Sequence, residues 1–299
     1  MLALFSLYPF IATSLSFLTA GILVLSTSIN AILTTLCVAL YMMIPVGSFD
    51  HWFYSILHIV RTIVPSRINR LEANIDETFQ LYEKERPARA LYLWHPHGML
   101  SLTPIIHTFR KGLGKVVCVP IFHKIPIVRD GYHFMGSISS DYSVMKAALE
   151  KGSVSVIPGG TREMMLPSSK HMKLVLNDRV GVFRLALETG TPIVPVLTFG
   201  EDESFPPLDT PILRTINQWL YANWKFAVPL MSWTSISNWL QLADSPLPPI
   251  RSYAGAPIAV AKTLEPSMEQ IQELRKSYRE HLERLFQDTA PRGMVLRVG

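Results

Sequence analysis

Before Asp50 the chain has no Lys, Arg, Asp or Glu; its 28 basic and 23 acidic side chains all lie at or beyond that residue. Cysteine is almost as scarce. Cys37 and Cys118 are the only two in 299 residues, too few for a disulfide scaffold. Net charge is only +5 and hydrophobic residues reach 48%, which excludes a disordered chain. Charges recur throughout 50–299, which excludes a polytopic transporter. There is no HExxH, no CxxC and no third ligand at a recognised spacing, so neither a metal centre nor a bound cofactor is expected. Internal repeats and low-complexity runs are missing too, and nothing points to a nucleic-acid partner. What remains is a membrane-anchored globular domain large enough for one sizeable core.

The uncharged start reads as a helical hairpin. A membrane span needs roughly 20 apolar residues at about 1.5 Å each. Leu2–Leu25 fits one span, and Ile29–Val46 fits a second, slightly short one. Ser26-Thr27-Ser28 supplies the turn. A signal peptide would need a basic start and a short apolar core, and neither is present. Arg61, Arg67 and Arg70 follow the second run, which places that side in the cytosol. The expected layout is a membrane anchor over 1–49, a juxtamembrane connector over 50–89 and a cytosol-facing domain over 90–299. The connector carries the interfacial cluster His51-Trp52-Phe53-Tyr54 and a helix over Leu71–Tyr82.

From Ala90 onward, strands alternate with helices. The pattern predicts strands at Ala90–Trp94, Lys115–Ile121, Ser153–Ile157, Lys173–Leu176, Pro192–Phe199 and Ser252–Val260. It predicts helices at Asp141–Glu150 behind Ser140, at Arg179–Glu188 before Gly190, and at Ser267–Gln287. Ser267 and Gln270 stand at capping-box spacing. This alternation predicts an α/β fold with a largely parallel sheet flanked by helices. Residues 202–250 break the pattern with seven prolines and four of the six tryptophans. They suit an acyl-chain pocket, an interfacial surface or an ordinary core of two packed helices.

Three blocks carry chemistry. His95-Pro96-His97-Gly98 follows a strand, where open α/β sheets place their ligands. Histidine is the side chain best matched to general-base work near neutrality, and Gly98 permits a close approach to the backbone. Pro158-Gly159-Gly160-Thr161-Arg162-Glu163 follows another strand. Its glycines can present N–H groups to an oxyanion, and Arg162 and Glu163 add charge. Arg179-Val-Gly181-Val-Phe-Arg184 opens a helix that feeds Ile193-Val-Pro195-Val and Phe199-Gly200-Glu201. By itself this third block is also what any amphipathic helix feeding a buried strand would show.

In this order the blocks resemble the type 2 diacylglycerol acyltransferases, a family that includes monoacylglycerol and wax-alcohol acyltransferases. Ala254-Gly-Ala-Pro257, the terminal helix with Leu274 and Tyr278, and the apolar hairpin are similar as well. Pro126-Ile-Val-Arg129 is similar to an arginine block of the more distant glycerophosphate acyltransferases. Some positions depart from these patterns. Leu100 and Leu102 stand where the glycerophosphate enzymes carry an Asp, Ile157 replaces a Glu before Pro-Gly-Gly, and Val182 replaces a Phe.

The resemblance implies acyl-CoA-dependent O-acyl transfer, with diacylglycerol giving triacylglycerol. Acyl-CoA is then a substrate, and monoacylglycerol, a long-chain alcohol or phytol are alternative acceptors. A non-catalytic lipid-droplet protein is the alternative outside enzymes. The resemblance implies His97 as base, because Pro-His is the part retained in plant relatives whose first histidine is a glutamate. It leaves His95 as support and Glu163 as the carboxylate that orients a histidine. Gly98, Pro158, Gly159, Gly160, Arg162, Arg179 and Arg184 are the expected substrate-binding residues. The expected location is the endoplasmic reticulum membrane or lipid droplets, and homo-oligomerisation stays open.

Overall fold

The computed structural model describes residues 28–52, 54–55, 87–99, 101–166, 171–228, 230–240 and 249–299. Both Leu2–Leu25 and the helix expected at Leu71–Tyr82 lie outside them. Helix α1 (Ser28–Met43) covers most of the second apolar run. Its 16 residues give about 24 Å at 1.5 Å per residue, short of a hydrocarbon core of roughly 30 Å. Among the described residues no helix is long and apolar enough to cross a membrane.

The main sheet has six strands: β1 (Leu91–His95), β2 (Lys115–Cys118), β3 (Ile138–Ser139), β4 (Val154–Val156), β6 (Ile193–Phe199) and β7 (Arg251–Ala254). Their order is β3-β2-β4-β1-β6-β7. All pairings are parallel except β6 with β7, where Leu197 faces Tyr253. β1 and β6 lie at the centre and are buried along their whole length, as parallel strands covered on both faces must be. The helices are α2 (Leu102–Lys111), α3 (Val128–Phe134), α4 (Tyr142–Lys151), α5 (Gly160–Met164), α6 (Gly181–Thr189), α7 (Glu201–Ser204), α8 (Pro211–Trp224), α9 (Trp233–Leu240) and α10 (Met268–Thr289).

Strand alternation decides which helix each side chain meets. On β1, Leu91 and Leu93 point into a cluster with Phe183 of α6 and Tyr278, Leu282 and Leu285 of α10. Tyr92 and Trp94 point to the other face, where Trp94 stacks on His107 of α2 at 5.8 Å. Each fully buried side chain of this size contributes roughly 1.5–3 kcal/mol. His95 has the parity of Leu91 and Leu93, so it faces α10.

Several boundaries differ from expectation for local reasons. The strand read over Lys115–Ile121 ends at Cys118, because Pro120 has no N–H and a 3₁₀ turn (Pro120–His123) begins there. Asp141, not Ser140, precedes α4. The strand expected at Lys173–Leu176 is β5 (His171–Leu174). It leaves the main sheet and pairs in parallel with an unforeseen β8 (Val295–Val298). The stretch Ser252–Val260 is only partly strand, with an isolated bridge from Ile258 back to Ile193. The capping box on α10 is formed: Gln270 N donates to Ser267 Oγ at 3.2 Å, and Ser267 N to Gln270 Oε1 at 2.9 Å.

One buried arginine ties α1 to the domain. Arg129 donates to the carbonyls of Tyr41 at 3.1 Å, Met42 at 3.2 Å and Ile44 at 2.7 Å, at the negative carboxyl end of the helix. Its guanidinium also lies 5.0 Å from the Tyr41 ring and pairs with Asp130, which accepts the Tyr41 hydroxyl.

Candidate active site

The three blocks follow the carboxyl ends of neighbouring strands. His95 ends β1, the Pro-Gly-Gly turn follows β4, and Gly200-Glu201 follows β6. Adjacent parallel strands thus bring residues far apart in sequence to one edge, as open α/β sheets do.

Glu163 is the hub. It is buried on α5, with Oε2 accepting His97 N–H at 3.0 Å and Oε1 accepting Val175 N–H at 2.8 Å. Oε1 also faces His95 Nδ1 at 3.4 Å. On the other side of that ring, Nε2 lies 3.1 Å from the Tyr278 hydroxyl. Burial, with the Glu163 charge adding to it, raises the Tyr278 hydroxyl well above its ordinary value, so it remains a donor. The carboxylate only accepts, so His95 Nδ1–H donates to Glu163, and in the neutral ring Nε2 then accepts the Tyr278 O–H. Both nitrogens of His95 are engaged, and the ring is fully buried.

His97 is different. It is half-buried, and its Nδ1 lies 2.7 Å from Gly98 O. A carbonyl only accepts, so Nδ1 carries the proton and Nε2 keeps its lone pair. Burial is the largest influence on this imidazole and lowers its pKa below 6.5, so the neutral, proton-accepting form dominates at pH 7. Ser101 Oγ packs 3.1 Å from His97 Nδ1 and donates to His97 O at 3.0 Å.

The glycines have steric reasons. A Cβ on Gly159 would sit 1.7 Å from Glu163 Cδ, so Glu163 folds into the space the missing side chain leaves. Gly98 has φ +60°, and a Cβ there would meet Glu201 Oε1 at 2.6 Å. The group that closely approaches Gly98 is therefore a carboxylate of this chain. Glu201 accepts Leu102 N–H at 3.1 Å and Thr103 Oγ1–H at 3.2 Å, capping α2 beneath the histidine turn. Burial pushes its carboxyl up to about 7.

The remaining expected residues are placed unevenly. Gly160 N–H donates to Ile157 O at 3.1 Å, so it is not available to an oxyanion as the sequence suggested. Pro158 is buried in the same turn. Arg179 reaches that turn, donating to Gly159 O at 3.0 Å. Arg162 is exposed beside it and pairs with Asp178 at 2.6 Å. Arg184 is exposed on α6 and faces Glu188 and Tyr142, on the surface shared with α4. Ser101, Glu201 and Tyr278 were not assigned from the sequence. Tyr278 entered there only as a residue of the terminal helix that shares in the resemblance, with no role at the site. Among the described residues no cluster of three His, Cys, Asp or Glu side chains is placed to hold a metal ion.

Comparison with known proteins adds a second line. A family model described as diacylglycerol acyltransferase matches residues 79–295. The chain is 27% identical over 215 residues to 2-acylglycerol O-acyltransferase 1 of Homo sapiens, covering 66% of this chain and 64% of that protein. It is 30% identical over 239 residues to diacylglycerol O-acyltransferase 1 of Eremothecium gossypii, covering 74% and 52%. It is 26% identical over 215 residues to diacylglycerol O-acyltransferase 2B of Umbelopsis ramanniana, covering 64% and 61%. The matches thus span less than two thirds of these curated relatives. No solved structure matches the chain.

Proposed function

The chain belongs to the diacylglycerol acyltransferase family, and from that premise we propose that it transfers a fatty acyl group from acyl-CoA to diacylglycerol, forming triacylglycerol. The observation that carries this reading is His97, whose Nδ1 is held by Gly98 O at 2.7 Å and whose Nε2, met only at 3.5 Å by Ser101 Oγ, keeps the lone pair that takes a proton.

The step is alcoholysis of a thioester. His97 Nε2 accepts the acceptor's hydroxyl proton as the oxygen attacks the thioester carbonyl. The resulting tetrahedral oxyanion collapses, breaks the C–S bond, and the imidazolium returns the proton to the CoA sulfur. A general base supplies about 10²–10⁴-fold. Glu163 fixes the backbone at His97 through one oxygen and the His95 ring through the other. His95 therefore acts as a positioning residue between Glu163 and Tyr278. Arg162 and Arg179, both at the Pro-Gly-Gly turn, are the cations suited to CoA phosphates.

Monoacylglycerol is the second acceptor, favoured by the resemblance to 2-acylglycerol O-acyltransferase 1. The uncharged run before Asp50, followed by Arg61, Arg67 and Arg70, supports residues 1–49 as a membrane anchor and a cytosol-facing domain; the endoplasmic reticulum as that membrane is what the family resemblance implies. Release by carbonate contradicts the anchor, and full protease protection of 90–299 in sealed vesicles contradicts the cytosol-facing domain. For the activity, membranes containing the chain are assayed with labelled acyl-CoA and a panel of diacylglycerol, monoacylglycerol, a long-chain alcohol and phytol. Diacylglycerol is expected to be acylated fastest. Faster monoacylglycerol acylation moves the assignment to that acceptor, and transfer to none overturns it.

A further inference from the structure

Helix α8 is 14 residues long and buries none of them. Thr210 caps its start, accepting Leu213 N–H at 3.2 Å, and Pro211 occupies the first turn, so the helix is well specified locally. Its inward edge is thin. Asn217 holds it to the following loop by two hydrogen bonds with Val228, 2.8 and 3.3 Å long. Along the outer side, Ile212, Ile216 and Trp219 follow the i, i+4, i+7 spacing of one face, and they are 74%, 46% and 56% exposed. Trp224, 65% exposed, meets Trp219 edge-on at 5.2 Å and extends the patch to the helix end.

An apolar patch of this kind on a surface helix marks an interaction site. Its chemistry selects a lipid bilayer. Indole rings with an apolar body and one polar N–H favour the membrane–water boundary. The charges agree: no Asp or Glu occurs between Asp209 and Asp244, and Arg214 and Lys225 are the only charged residues there. Asp209 is itself paired with Arg214 at 2.8 Å, so no free carboxylate on the helix repels anionic headgroups, and Lys225 attracts them.

The position fits as well. Thr161 Oγ1 donates to Lys225 O at 3.4 Å, so the end of α8 rests on α5, the helix that carries Glu163. We propose that the Ile212–Ile216–Trp219–Trp224 face of α8 lies in the bilayer interface and holds the active site against the membrane from which the acceptor lipid enters. The entry of acceptor rests on the acyl-transfer reading; the contact with the bilayer does not.

Two experiments separate these parts. The full chain carrying Cys37→Ser and Cys118→Ser is labelled with an environment-sensitive fluorophore at Ile216→Cys, or at Gln218→Cys on the far side of the helix. It is reconstituted in vesicles of phosphatidylcholine and phosphatidylserine, with and without acyl-brominated phosphatidylcholine. For a helix lying in the interface, the label at position 216 is quenched by brominated chains at least about twofold more than that at 218, and iodide shows the reverse order. Equal iodide quenching at both positions overturns the proposal. So does a label at 216 that is shielded from iodide yet untouched by bromine, the result if a second copy or another segment of this chain covers the face.

The second experiment is kinetic. In Ile216→Ser/Trp219→Ser, transfer to vesicle-embedded dioleoylglycerol falls roughly fivefold or more, while transfer to detergent-dispersed dioctanoylglycerol is unchanged. Equal loss on both acceptors contradicts the acceptor-entry role. The fluorescence result needs no turnover, so it stands or falls apart from the acyl-transfer reading.

Discussion

Glu163 reaches the two histidines by different routes: Oε2 accepts the backbone N–H of His97 at 3.0 Å, and Oε1 faces the ring of His95 at 3.4 Å. One carboxylate therefore fixes the path of the turn and the orientation of its buried ring, while the His97 ring keeps a nitrogen for substrate.

Glu163→Gln keeps the side-chain size and removes the charge. It is expected to lower kcat at least about tenfold, some 1.4 kcal/mol of barrier, with little change in KM for acyl-CoA. Steady-state kinetics on equal amounts of folded protein check this. Wild-type turnover would mean that the carboxylate has no part in the reaction.

Tyr278→Phe retains the ring in the core formed with Phe183, 5.5 Å away, and deletes only the donor to His95 Nε2. A buried hydrogen bond of this kind contributes about 1 kcal/mol, so kcat should fall roughly fivefold with KM unchanged. A variant with unaltered kcat removes Tyr278 from the positioning chain.

Gly159→Ala places a methyl 1.7 Å from Glu163 Cδ and must expel the carboxylate. Activity should fall at least as far as in Glu163→Gln, roughly tenfold or more. Gly181→Ala, where a Cβ meets nothing within 4 Å, serves as the matched control and should stay near wild type. Equal behaviour of the two variants contradicts the steric account of the Pro-Gly-Gly turn.

Glu201 makes stability depend on pH. Burial raises its carboxyl from 4.5 to about 7. Between those values the folded chain holds a proton that the unfolded chain has released. Stability from this residue therefore falls as pH rises from about 4.5 to about 7, and is level above. Urea unfolding across that interval should show a shallower fall in Glu201→Gln than in wild type. Identical slopes contradict the assignment.

The strand-ending motifs were legible because local chemistry fixes them: short continuous apolar runs mark β1 and β6, which are buried on both faces, and Gly190 and the Ser267–Gln270 box set helix ends. What stayed hidden depends on contacts distant in sequence. Tyr278 looks like one more apolar-face residue until α10 packs against β1, 183 residues away. β8 has no partner until β5 leaves the main sheet. Helix α2 went unread because Pro104 and polar Thr103, His107 and Thr108 obscure its periodicity. All four are buried, and Glu201 caps its start from a remote strand end. Arg129 was read only as part of a distant family's block, and it is spent on the carbonyls that end α1.

The division of labour between the histidines is tested by comparing His97→Ala with His95→Ala for acyl transfer at matched amounts of folded protein. His97→Ala is expected to lose about 10²–10⁴-fold, the contribution of a general base, at near-normal abundance. His95→Ala should be milder per folded molecule, with its loss showing mainly as reduced stability. An active His97→Ala beside an inactive, fully folded His95→Ala would reverse the assignment and contradict the mechanism.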